Sequence, residues 1–171
     1  MLFRSWHLSG SNTFTRGLTV EAGRLVIAHP CALGNGTVSL NSGAALDLNG
    51  QTVSPPAPLT LRGHGSGGTG ALVNNADLPA ALTGTSAVTL AAHTTLGGTG
   101  DLHLALPLSG GYALTKTGPG TLTLAATNTY TGATTVSNGT LVLHADLPGA
   151  LTAATGTDRK STRLNSSHES P

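Results

Sequence analysis

The sequence predicts an all-β chain wound as a parallel β-helix, and three observations predict it. The first is composition: 27 threonines and 24 glycines in 171 residues, with 9% charged and 3% aromatic residues. Thr with Val and Leu suits half-buried strands, Gly and Asn punctuate them, and no window carries a sustained apolar stripe at helical period. The second is length and spacing: the strands run only three to five residues and are often more than two residues apart, which suits stacked coils better than a hairpin-linked sandwich. The third is repetition. SNTFTRGLTVEAGRLVI (11–27) and TNTYTGATTVSNGTLVL (127–143) say nearly the same thing 116 residues apart without a gap.

The elements follow in order. GLTV (17–20), GRLVI (23–27), GTVSL (36–40) and GAALDL (43–48) come first, and AVTL (87–90) and DLHLAL (101–106) follow. GTLTL (120–124) and GTLVL (139–143) close the series. Their apolar residues alternate with Thr, Ser, Asp or His, so Leu122 and Leu124 face one way and Thr121 and Thr123 the other. Between them lie the bend clusters HPCALGNG, SPPAP and GHGSGGTG. Asn35-Gly36 and Asn138-Gly139 are hairpin signals that also suit an antiparallel meander. A recurrence at fixed offset favours stacked coils instead. With about three strands per coil, roughly five to seven coils are expected, a rod of roughly 25–35 Å at about 4.8 Å per coil. Few aromatics mean a thin core of small aliphatics.

The two copies agree position by position. Trp6 stands at Leu122, Leu8 at Leu124, Asn12 at Asn128 and Phe14 at Tyr130. Thr19-Val20 stands at Thr135-Val136, Gly23 at Gly139 and Leu25-Val26 at Leu141-Val142. The outward residues differ, Glu21 against Ser137 and Arg24 against Thr140. What is kept is packing and turns, not polar chemistry.

LTKTGPGTLTLAATNTYTGATTVSNGTLVL (114–143) resembles the autotransporter-associated β-strand repeat of Gram-negative passenger regions. The resemblance rests on Lys116, on Gly118-Pro119-Gly120-Thr121-Leu122, on Asn128, Tyr130 and Gly132, and on Gly139 and Leu141. The first copy resembles it through Asn12, Phe14, Gly23 and Leu25 and continues as ALGNGTVSLNSGAALDLNG (32–50). It lacks the opening Gly-Thr-Leu and has Arg16 where the family favours Gly. The middle, 54–113, matches only in composition. The resemblance implies a right-handed parallel β-helix at the cell surface, outside the bacterial outer membrane, tethered by a C-terminal translocator barrel of the parent chain. Repeat copies are expected near 6–53 and 111–147, within a β-helix passenger section spanning 1–157.

Composition shifts at Asp158. Residues 158–171 hold five charged side chains and no glycine, whereas the preceding 157 hold five acidic and five basic ones. DRKSTRLNSSH (158–168) resembles a reading-frame translation of a sequencing-library adapter, so 158–171 is expected to be a non-native, disordered tail. A chain that begins inside a repeat is expected to be a fragment. A net charge of +1 leaves no electrostatic footprint for nucleic acid.

GHGSGGTG (63–70) lacks the Gly-Lys-Ser/Thr ending of a phosphate loop and reads as a flexible bend. Gly97-Gly98-Thr99-Gly100-Asp101 places its Asp one position early for a calcium nonapeptide. His7, His29, His64, His93, His103 and His144 have no close ligand spacing and read as solvated strand residues. Cys31, the single cysteine, reads as a small buried or half-buried hydrophobe. Glu21, Asp47, Asp77, Asp101 and Asp146 stand 24 residues or more apart, which gives no local acid–base pair. Asn35 and Asn138 head Asn-x-Thr sequons but read as turn residues. The expectation is therefore no catalytic, cofactor or metal residue and no enzyme. A structural and display role is expected, with cell-surface or self-association partners serving adhesion or aggregation. The alternative is a fragment of a carbohydrate-active β-helix enzyme.

Overall fold

The structure is a computed structural model that describes residues 4–144 and the backbone of 151–153. Asp146 and the segment 158–171 lie outside the described residues. The chain forms a β-solenoid of about seven coils with all strand pairs parallel. The antiparallel meander is thereby ruled out.

Three ladders make the walls. The first stacks β1 (Ser5–Leu8), β3 (Gly23–Ile27), β5 (Ala44–Asp47), β8 (Leu72–Asn74) and the C-terminal part of β10 (Val88–Gly98). It continues through β13 (Leu114–Lys116), β15 (Thr134–Val136) and β17 (Leu151–Ala153). The second stacks β2 (Leu18–Val20), β4 (Val38–Leu40), β7 (Leu59–Gly63), the N-terminal part of β10 and β12 (Leu108–Ser109). The third stacks β6 (Thr52–Val53), β9 (Ala80–Leu82), β11 (Leu102–Leu104), β14 (Thr121–Leu124) and β16 (Thr140–Leu143). β10 turns a corner without ending, its register shifting between Leu90 and Thr94.

Register puts like side chains in columns, as alternation requires. Leu25, Leu46, Leu72 and Leu96 follow one another in the first ladder. Val38, Leu59, Val88 and Leu108 do so in the second. Val53, Leu82, Leu104, Leu124 and Leu143 do so in the third. These columns merge into one narrow aliphatic cluster. Outside the second ladder runs a hydroxyl column, Thr19, Ser39, Thr60, Thr89 and Ser109.

Both copies of the repeated segment close one coil in the same register. Trp6 pairs with Leu25 and Leu8 with Ile27, while Leu122 pairs with Leu141 and Leu124 with Leu143. The copies are rotated around the axis by one side, because β1 and β3 lie in the first ladder whereas β14 and β16 lie in the third. Coil length explains it. Paired residues are 20 apart from Val88 to Leu108 and from Leu102 to Leu122. They are 29 apart from Thr52 to Ala81 and from Leu59 to Val88. The 116-residue offset is therefore not a whole number of coils.

The bend at 63–70 is a compact turn with a 3-10 segment, Ser66–Gly68, followed by strand β8 and not by an α-helix. It rests on the outer side of the first ladder, where His64 Nδ1 meets Thr95 Oγ1 at 2.7 Å. Outward-facing Ala45 and Val73 are fully buried on this side.

Candidate functional site

The leucine columns are interrupted by a few polar residues, and these mark where the interior does something besides pack. In the first ladder the residue after Leu96 in the inward column is Lys116, which is 1% exposed. Its position follows from alternation, since Leu114 and Lys116 share the inward face of β13. The ammonium donates to the carbonyls of Thr117 and Gly118, both at 2.7 Å, and of Asn138 at 3.1 Å. Three donors meet three corner carbonyls from two successive coils. Burial pushes the Lys116 pKa down to about 8, and the nearby Asp101 carboxylate opposes that shift. Gly139 leaves the room this needs, because a Cβ there would stand 2.8 Å from Lys116 Nζ.

Asn74 follows Leu72 into the interior of the first ladder and is fully buried. Its amide nitrogen donates to the carbonyls of Leu78 and Asp101, each at 2.8 Å. Its oxygen accepts from the amides of Gly50 at 3.0 Å and Ala76 at 3.2 Å. All four bonding positions of the side chain are filled, and the partners belong to three consecutive coils. Neither residue was singled out as an interior staple in the sequence, although a lone polar residue at an inward strand position was the available signal.

The repeat's Asn and aromatic residues are interior in the second copy, at Asn128 and Tyr130, and half-buried in the first, at Asn12 and Phe14. Asn128 accepts from the Leu108 amide at 3.1 Å and donates to the Ala126 carbonyl at 2.9 Å. Asn12 makes the matching local bond to Gly10 at 3.3 Å and a second to the Ala32 carbonyl at 2.8 Å. Tyr130 is fully buried with its hydroxyl on Thr134. Phe14 is half-buried against Gly34, which has a positive φ of 63° and no room for a Cβ.

The acidic, histidine and cysteine side chains are spread out along the coils. Glu21 accepts from Asn41 Nδ2. Asp47 accepts from the Asn49 amide at 3.0 Å and from Asn75 Nδ2 at 2.8 Å, with Arg24 at 3.7 Å. Asp101 accepts from the Thr121 amide at 2.7 Å, and Asp77 is exposed. Among the described residues no three His, Cys, Asp or Glu side chains gather as a metal site. His29 accepts from the Cys31 amide at 3.1 Å, and His93 stands edge-on to Tyr112 with ring centroids 5.6 Å apart. Asn35 and Asn138 sit exposed in corners.

Cys31 corrects an expectation. It is exposed, not buried or half-buried, because the inward positions of its corner go to Ala32 and Leu33. Some threonines also depart from the outward, solvated role: Thr94 and Thr134 lie buried in the inward column of Leu114, and Thr95 faces outward but is buried beneath the 63–70 bend.

The interior thus serves cohesion between coils, and this defines a β-solenoid built from self-stacking repeats. Residues 5–27 and 114–143 match the sequence model of the family described as Passenger-associated-transport-repeat, and the two matches together cover less than a third of the chain. The matched segments span β1 to β3 and β13 to β16. No protein of curated function and no solved structure matches the chain.

Proposed function

We propose that this chain is a structural and display section of an autotransporter passenger, a rod carried outside the cell and held at the outer membrane by a translocator barrel elsewhere in the parent chain. In this reading residues 1–157 are passenger, and the rod serves adhesion or self-aggregation. The observation that carries it is the coincidence of the two passenger-repeat matches with coils that close in identical register. Stacking satisfies each coil's backbone groups and covers its apolar edge. A passenger that folds by adding coils one at a time suits passage through a membrane in extended form.

The test is display. The chain is fused between a secretion signal and an autotransporter barrel in a Gram-negative host, and intact cells are labelled and treated with external protease. Surface labelling with a protease-resistant core of coil-multiple size supports the reading. Periplasmic retention with a functional barrel control contradicts it. Sedimentation of displaying cells against barrel-only cells reads aggregation.

A further inference from the structure

The turn at 63–70 and the edge of the first ladder enclose a cavity of about 360 Å3, lined by Arg4, Ser5, Arg24, Ser66, Gly67 and Thr69. Its chemistry is cationic. Arg24 is one-third exposed and leans on Asp47 at 3.7 Å, a carboxylate already occupied by Asn75 and the Asn49 amide. Most of its five N–H donors stay available. Arg4 is exposed and has no ion-pair partner among the described residues. Its backbone is fixed, because the Arg4 carbonyl accepts from the Arg24 amide at 2.9 Å.

A second, independent observation points the same way. Ser66 is 6% exposed as a residue and lines the cavity; its hydroxyl bonds to no described residue, and since no buried side-chain polar atom among the described residues lacks a partner, that hydroxyl opens to the cavity. Only its backbone carbonyl is used, by Thr69 Oγ1 at 3.0 Å. A hydroxyl that a cavity reaches and that the described residues do not use is free to donate to a ligand there. Gly67, at φ 68° and ψ 15°, reverses the chain beside the cavity.

We propose that Arg4, Arg24 and Ser66 form a binding site for an oxyanion: a sulfate, phosphate or carboxylate group. Two guanidinium groups supply charge-assisted donors, and the serine supplies a short neutral one. Asp47 orients Arg24 and keeps the site from excess positive charge when empty. The site does not depend on the passenger reading, since it rests on the cavity alone.

The experiment is calorimetric titration of the full chain with inorganic sulfate, inorganic phosphate, a heparin octasaccharide and an oligogalacturonate, at low ionic strength. Saturable binding of at least one probe is expected, weakening with added salt. Arg4→Ala and Ser66→Ala should each weaken it about tenfold, with unchanged circular dichroism. Arg62→Ala, a control outside the cavity, should leave it unchanged. Binding of the free ions points to a small ligand, and binding of an oligosaccharide alone points to an anionic glycan; either supports the site. Absence of saturable binding by all four probes overturns it. So does equal weakening by Arg62→Ala, which would mean diffuse charge attraction.

Discussion

The hydroxyl of Tyr130 lies 2.5 Å from Oγ1 of Thr134, and both side chains are fully buried. At the corresponding positions of the first copy stand Phe14 and Leu18. The two exchanges go together. A phenol in a dry interior needs a partner, and a benzyl ring needs none.

Tyr130→Phe is therefore expected to cost about 1–3 kcal/mol, because it strands the Thr134 hydroxyl. Adding Thr134→Val to that variant should recover most of the loss. Denaturant melts of the two single variants and the double one form the cycle that checks this. Additive losses would mean that the pair is not coupled.

The pH dependence of stability should show two opposed arms. Lys116 titrates near 8 in the folded chain and near 10.5 when unfolded, so between these values the unfolded chain holds the extra proton. Stability contributed through Lys116 then rises from about pH 8 to pH 10.5. Tyr130 behaves oppositely: burial raises its pKa above 10.0, with the Thr134 hydrogen bond opposing. Above pH 10.0 the unfolded chain loses the phenolic proton first and stability falls. Melting midpoints of Lys116→Met should lack the rising arm, and those of Tyr130→Phe the falling one.

Asn74 fills all four of its hydrogen-bonding positions, so Asn74→Ala should cost about 3–4 kcal/mol. The loss should be local to its corner. Hydrogen exchange is expected to accelerate at the Gly50 and Ala76 amides, which lose their acceptor. Unchanged protection there would show that the backbone, not the side chain, holds the corner.

Glycines with positive φ should divide by what surrounds them. At Gly98, φ 118°, a Cβ would stand 2.7 Å from the Asn74 backbone nitrogen. At Gly43, φ 91°, it would meet nothing within 4 Å. Gly43→Ala is expected to cost only the conformational strain, about 1–2 kcal/mol. Gly98→Ala should cost more than about 3 kcal/mol, since two coils must part. Thermal melts of the pair compare them directly.

Much of the architecture was legible because period-two alternation fixes which side chains face inward. Leu122 and Leu124 point into the shaft and Thr123 points out, as the pattern requires. The middle of the chain was harder. Its coils lengthen, from the 20-residue step between Leu18 and Val38 to the 29-residue step between Leu59 and Val88, so no fixed offset reveals them. Lys116 and Asn74 were hidden for another reason: their value lies in carbonyls brought close only by stacking. The covering of the first ladder by 63–70 was equally hidden, because glycine-rich bends carry no pattern that names their landing place. Cys31 shows the limit of residue-type statistics, as a corner position overrode the usual burial of a free thiol.

The account depends on rungs rising in one direction, and a single distance tests this most directly. Thr19 and Ser109 lie on the outward hydroxyl column four rungs apart, through Ser39, Thr60 and Thr89. Spin labels at Thr19→Cys and Ser109→Cys, in a Cys31→Ser background, should give a narrow electron–electron distance near 20 Å, four steps of about 4.8 Å. A broad distribution, or a separation beyond roughly twice that spacing sum, would contradict the stacked parallel coil.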